Sequence, residues 1–219
     1  FKMGVWSGID YFSSKMDQRT KWACIEDDLG QYNLFCNDEK IDQMQLQLLG
    51  KHNMMNLTAA IAVLSNFELK PKDLIVGAKK FTGVKRRLEY LGQFSEIDLF
   101  DDFAHHPTSI KASIAAVKST LDSSSLYAVV ELASNTMKKG SLKSELKKSF
   151  VDVDYAWILN SGNIQWDIRE EFAEIENVAI LKTLVDLPDQ VQSKIKPGDS
   201  LIIMTNSDSM RISNVLKKK

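Results

Sequence analysis

Cysteine is scarce in this 219-residue chain: Cys24 and Cys36 are too few for a disulfide framework. With no histidine between or beside them they make a poor zinc site, and both sit in strand-like runs, so they read as buried, reduced thiols of a cytoplasmic protein. An excess of charge of one sign is also lacking. Against 29 Asp+Glu stand 28 Lys+Arg, a formal net charge of −1, which leaves no electrostatic footprint for nucleic acid or an anionic membrane. The terminal Lys217-Lys218-Lys219 reads as a solvated end. No apolar run approaches the ~20 residues of a membrane helix, and the start carries no signal-peptide pattern; neither nucleic acid nor membrane is an expected partner. Internal repeats and low-complexity stretches are missing too. The chain opens on Phe1, with no methionine, cap or charged lead-in, and is expected to be a piece of a longer protein. One further absence concerns chemistry: nowhere does Gly-x-x-x-x-Gly-Lys-Ser/Thr occur, the loop that cradles ATP phosphates and helps hold Mg²⁺.

What is present is ordinary globular composition, 44% hydrophobic and 26% charged, in a chain long enough for one large domain or two small ones. Strand-like runs at 22–25, 32–36 and 44–48, separated by turn chemistry at 27–30 and 37–40, predict a small antiparallel sheet. Helical spacing follows over 53–67 (Met54, Leu57, Ile61, Leu64) and again from Pro71 to about residue 81, where a first-turn proline costs no hydrogen bond. Beyond Arg87 the elements alternate. Strands are expected near 97–102, 126–131, 155–159, 178–181 and 201–204, and helices near 108–121, 142–150, 187–195 and after Ser209. Such alternation predicts an α/β, doubly wound parallel sheet, with the boundary between the two regions near 82–89.

Three segments gather all three histidines of the chain: Lys51-His52-Asn53-Met54-Met55-Asn56, Gly83-Val84-Lys85-Arg86-Arg87-Leu88-Glu89 and Asp101-Asp102-Phe103-Ala104-His105-His106-Pro107-Thr108. Asn53 and Asn56 share one face at a helix start, and an amide both donates and accepts, as an adenine edge requires; equally, Asn53 caps the helix and Asn56 is a surface residue. Arg87 offers a planar fork for phosphate or a partner for Glu89. Asp102 ends a strand at the carboxyl edge, where ligands of open α/β sheets collect and ribose hydroxyls find an acceptor. His105 and His106 with Asp101 and Asp102 have the ligand types of a metal site, but adjacent residues point apart, so no metal is assigned and structural histidines at a helix start are preferred. Ser134, Asn135, Thr136 and Lys138 follow the next strand and suit a carboxylate or an amino-acid zwitterion, or form a polar loop that Gly140 relieves.

These segments, in this order, resemble the muramate ligase family, the ATP-dependent enzymes that build the peptide stem of bacterial peptidoglycan, over nearly the whole chain. Ser134-Asn135-Thr136-Met137-Lys138 followed by Gly140 is similar to the branch that recycles peptide. The resemblance implies the C-terminal part of a central ATP-binding domain over 1–84, and a Rossmann-like C-terminal domain over 85–219. It implies an amide-bond ligase joining UDP-N-acetylmuramate to L-Ala-γ-D-Glu-meso-diaminopimelate through an acyl phosphate, using ATP and Mg²⁺ with metal ligands mainly outside this chain. Carried over residue by residue, Asn53 and Asn56 lie near the nucleotide and Arg87 reaches its phosphates as the catalytic arginine. Asp102 takes the ribose, while His105, His106, Asn135, Lys138 and Asn206 approach the peptide substrate. Two departures stand out: Glu131-Leu132-Ala133 replaces the family's Glu-Pro-Arg, and Thr205-Asn206-Ser207-Asp208-Ser209-Met210-Arg211 replaces a glycine-rich loop. The alternatives are the alanine-adding ligase, which shares the aspartate-histidine segment, and a non-catalytic nucleotide-binding module.

Overall fold

The structure is a computed structural model that describes residues 7–44, 50–121, 123–160 and 163–217. It divides into two compact units, Phe1–Gly83 and Val84–Lys219.

In the first unit β1 (Tyr11–Ser13), β2 (Thr20–Glu26), β3 (Tyr32–Cys36) and β4 (Glu39–Met44) lie in that order in one sheet. β2, β3 and β4 are antiparallel as expected, whereas β1, too short to signal itself, joins β2 in parallel. The expected turn at 37–40 is tighter than its composition suggested. Asn37 and Asp38 alone take left-handed φ of 48° and 65°, the two-residue hairpin geometry whose twist matches that of the strands, so Glu39 already belongs to β4. The expected strand at 44–48 has only Met44 among the described residues, and there it closes β4. α1 (Lys51–Leu64), a 3₁₀ turn (Ser65–Phe67) and α2 (Pro71–Lys79) follow. Trp22, Cys24, Leu34 and Met44 of the sheet meet Met54, Ile61 and Ile75 of the helices in one core, each such burial contributing about 1.5–3 kcal/mol before chain entropy is charged against it. Both cysteines are free thiols. Burial pushes the Cys24 thiol up, opposed by a hydrogen bond with Thr58, which suits an inert packing residue.

The second unit holds a six-stranded sheet in the order β5-β6-β10-β7-β8-β9. Its strands are β5 (Glu89–Phe94), β6 (Ile97–Asp102), β7 (Leu126–Glu131), β8 (Tyr155–Leu159), β9 (Val178–Leu181) and β10 (Ser200–Met204). All pair in parallel except β5, an antiparallel edge strand. The connecting helices are α3 (Pro107–Lys118), α4 (Asn135–Lys139), α5 (Lys143–Lys147), α6 (Ile168–Glu171), α7 (Leu187–Gln192) and the last, α8 (Ser209–Lys217). β10, buried at every residue, reads as the continuous apolar run of a central parallel strand. Leu99, Val129, Leu201 and Ile203 face a core closed by Leu187 and Val191 of α7 and Ile212 and Leu216 of α8. By strand alternation Phe100, Ala128, Val130 and Ile202 face the other way, the side to which Ser113 ties α3 through Asp102. No helix among the described residues is long and apolar enough to cross a membrane.

Candidate functional site

β10 returns last in the chain to lie between β6 and β7. From its end the chain runs to α8 on one face, while β6 leads into α3 on the other. Chains leaving adjacent strand ends toward opposite faces open a crevice at the carboxyl edge, the usual ligand position of an open α/β sheet.

On the α8 side of that edge, Asp101 Oδ2 accepts from Ser209 Oγ at 2.6 Å and lies 3.7 Å from Arg86 Nε. Burial pushes the Asp101 carboxyl above its ordinary range, against the Ser209 hydrogen bond and the Arg86 charge. Thr205 Oγ1 donates to Glu131 Oε2 at 2.7 Å, and Glu131 also pairs with Arg211 of α8. Two buried carboxylates thus flank Thr205, each with its own guanidinium, as burial of charge demands. Arg211 and Ser209 come from the stretch that departs from the family's glycine-rich loop. Nothing in their local sequence announced these partners, because Glu131 and Asp101 lie 80 and 108 positions away.

The segment before β5 presents two arginines in opposite ways. Arg86 donates from Nη2 to Thr205 O at 2.6 Å. Arg87 is exposed; its guanidinium lies 5.6 Å from the Phe103 ring centroid and has no hydrogen-bond or ion-pair partner among the described residues. Asp102, expected on ribose, is 3% exposed. Its carboxylate accepts from Leu88 N at 2.8 Å, Ala104 N at 2.6 Å and Ser113 Oγ at 3.2 Å, so it is enclosed as an anchor for the loop and for α3.

His105, half-buried, donates from Nδ1 to the Phe103 carbonyl at 2.9 Å, which leaves Nε2 as the acceptor nitrogen of the ring, and stands edge-on to the Phe103 ring. His106 is the N-cap of α3: its Nδ1 accepts from Thr108 N, and Ser109 Oγ accepts from His106 N. The two rings have separate tasks. Among the described residues no group of three or more His, Cys, Asp or Glu could hold a metal ion. Asn135 and Lys138 lie on α4 rather than on the expected loop, and Ser134 caps that helix by accepting from Met137 N. That helix is too short, at five residues, to show a period. Asn206 lies two residues past β10, half-buried, its Oδ1 without a partner among the described residues. In the first unit Asn53 is not the cap, because Gly50 holds that position with φ 87°. Asn53 lies in the first turn of α1, and Asn56 one turn on is exposed.

A doubly wound α/β unit of this kind belongs to the class of proteins whose ligands collect at the carboxyl edge of the sheet. The signature of the Mur ligase, glutamate ligase domain matches residues 86–206, and the chain belongs to the Mur ligase family. It is 32% identical over 93% of its length to the UDP-N-acetylmuramate–L-alanyl-γ-D-glutamyl-meso-2,6-diaminoheptandioate ligase of Escherichia coli K12, of which it covers 45%. Among solved structures it is similar to a murein peptide ligase from Psychrobacter arcticus, with TM-score 0.71, 29% identity and coverage of 99% of this chain and 48% of that one. A Thermotoga maritima MurF ligase solved with ADP shares the fold at TM-score 0.72 and 14% identity, covering 94% of this chain and 48% of its own. The chain therefore spans about half the length of the curated relatives it matches.

Proposed function

We propose that this chain works as part of an ATP-dependent ligase that joins UDP-N-acetylmuramate to the tripeptide L-Ala-γ-D-Glu-meso-diaminopimelate through an acyl phosphate. The observation that carries the proposal is the contrast within the arginine pair. Arg86 is consumed by the fold, while Arg87, the residue matching the family's phosphate arginine, stands exposed and unpaired at the carboxyl edge. A guanidinium there neutralises phosphoryl oxygens and adds directional donors as negative charge develops on them.

In this reading Asn53 and Asn56 serve the adenine, and His105 with Asn135, Lys138 and Asn206 serves the peptide. His106 acts through the start of α3. A ribose contact by Asp102 requires its carboxylate, enclosed in a residue 3% exposed, to be uncovered. The residues described do not fit Mg²⁺: Asp101 and Glu131 are each paired with an arginine, and the metal has no part in the chemistry assigned to this chain. A cytoplasmic setting belongs to the same proposal.

The test is ligation by the complete protein with ATP and UDP-N-acetylmuramate, offering either the tripeptide or L-alanine as acceptor. The expected result is ADP release with the tripeptide. Turnover with alanine alone would move the protein to the alanine-adding branch, and no turnover with either would favour a non-catalytic module.

A further inference from the structure

We propose that Arg86 is a positioning residue: it clamps the segment 86–88 across the ends of β6 and β10, and so holds Arg87 ready for a phosphate-bearing ligand. The proposal rests on the reading of Arg87 as that ligand's arginine.

The backbone of this segment is strained. Arg86 and Leu88 take φ of 60° and 51°, a left-handed conformation that residues with a Cβ keep only where their surroundings enforce it. The enforcing contacts are on both sides. Arg86 N donates to Glu89 Oε2 at 2.8 Å, Phe103 N donates to Arg86 O at 2.8 Å, and Leu88 N donates to Asp102 Oδ2 at 2.8 Å. These bonds tie the segment to itself and to β6 with the residue that follows it. The Arg86 guanidinium adds the tie to β10, donating to Thr205 O at 2.6 Å while its Nε faces Asp101.

Left-handed residues on either side of Arg87 separate two neighbouring side chains that a regular strand would merely alternate. Arg86 turns to the strand ends; Arg87 stays in solvent. Both guanidinium carbons meet the same ring, at 5.1 Å and 5.6 Å from the Phe103 centroid, so the aromatic face limits the rotamers of Arg87 without occupying its donors. An arginine restrained in this way loses less freedom on binding than one on a loose loop. Of the Arg86 donors, Nη2 is engaged by a carbonyl and Nε stands 3.7 Å from a buried carboxylate. A lysine at this position lacks the planar fork that spans both partners.

The experiment is a double-mutant cycle in the complete protein, with ADP as the probe and calorimetry as the readout. The variants are Arg86→Lys, Asp101→Asn and Arg87→Ala, and the first two are each combined with the third. Arg86→Lys and Asp101→Asn are mild enough to fold. Each is expected to weaken ADP binding about threefold to tenfold in the parent background and to have no further effect once Arg87 is alanine. Their effect on Tm should be the same in both backgrounds. Additive losses would overturn the proposal, because Arg86 would then act on the nucleotide by itself or through general stability; so would unchanged affinity in Arg86→Lys. If Arg87→Ala alone binds ADP as tightly as the parent, the reading of Arg87 fails, and this proposal fails with it; that result is read from the single variant and is distinct from the outcome of the cycle.

Discussion

Neighbouring residues at the end of β6 face opposite sides of the sheet, and this parity assigns their tasks. Asp101 looks toward α8 and Arg86, Asp102 toward α3 and the 86–88 segment. Replacing Asp102 by Asn keeps the shape but turns an NH₂ group toward one of three donors, so Asp102→Asn should destabilise the second unit by about 1–3 kcal/mol. Urea denaturation of the 219-residue chain measures this. Unchanged stability with weakened ADP binding in the complete protein would instead return Asp102 to the ribose. Arg87→Ala has the opposite signature. With no hydrogen bond or ion pair to lose and only an exposed ring contact, it should change Tm by about 2 °C at most, while loss of one charge-assisted contact should weaken ATP binding by about 1.5–3 kcal/mol. An equal affinity in the variant would reduce Arg87 to a surface charge.

At the scale of elements, two turns carry more than their composition suggests. Asp27 closes the β2–β3 hairpin by accepting from Leu29 N and Gln31 N, and extends across the sheet to Asn33 Nδ2 and Gln43 Nε2. The Gln31 backbone hydrogen bond, with Asn33 next, holds the Asp27 carboxyl below its ordinary range. A depressed carboxylate contributes stability that is present above the unfolded pKa and is lost as pH falls through the folded one. Asp27→Asn should therefore lower the Tm of the first unit at pH 7, and the difference should close in strongly acid solution; a pH-independent difference would deny Asp27 that ionic role. Gly140 ends α4 with φ 74°, and a Cβ there would stand 2.6 Å from Trp166 Cδ1. The indole has no easy retreat, because Trp166 Nε1 donates to Met137 O at 2.9 Å. Gly140→Ala should cost about 1–3 kcal/mol and alter Trp166 fluorescence, and a variant of parent stability would show that the ring gives way freely.

On the scale of the whole molecule, each unit has a core of its own: the first packs Trp22, Leu34, Met54 and Ile61 together, and the second packs Trp157, Ile203, Leu187 and Ile212. Separate cores predict separate cooperativity, so scanning calorimetry should resolve two transitions; a single one with coincident probes would mean that the units unfold together. The chain alone, which contains no phosphate-loop motif, should neither hydrolyse ATP nor ligate, and should bind ADP at best in the millimolar range, about −4 kcal/mol. Tight Mg²⁺-dependent binding by residues 1–219 would favour the self-contained nucleotide module.

Chain-local physics made most of the second unit legible. The strands at 97–102, 126–131, 155–159 and 178–181 were read with the bounds they have, because short apolar runs between helical stretches have few other uses in an α/β chain. β5 escaped notice. Its hairpin turns through Ser95 and Glu96 at φ 51° and 61°, without the Gly or Asn that signals such a turn. For the candidate site, the sequence by itself places Asp102 and the residues of α4 at strand ends, since strand ends follow from periodicity, and Arg86 and Arg87 only in the loop between the two regions. Which arginine turns inward, and which partners enclose each of the two buried aspartates, only the tertiary structure decided. The partner that claims Arg86 is a carbonyl 119 positions away, brought alongside because the last strand inserts between β6 and β7, and no local pattern encodes a contact made by that insertion.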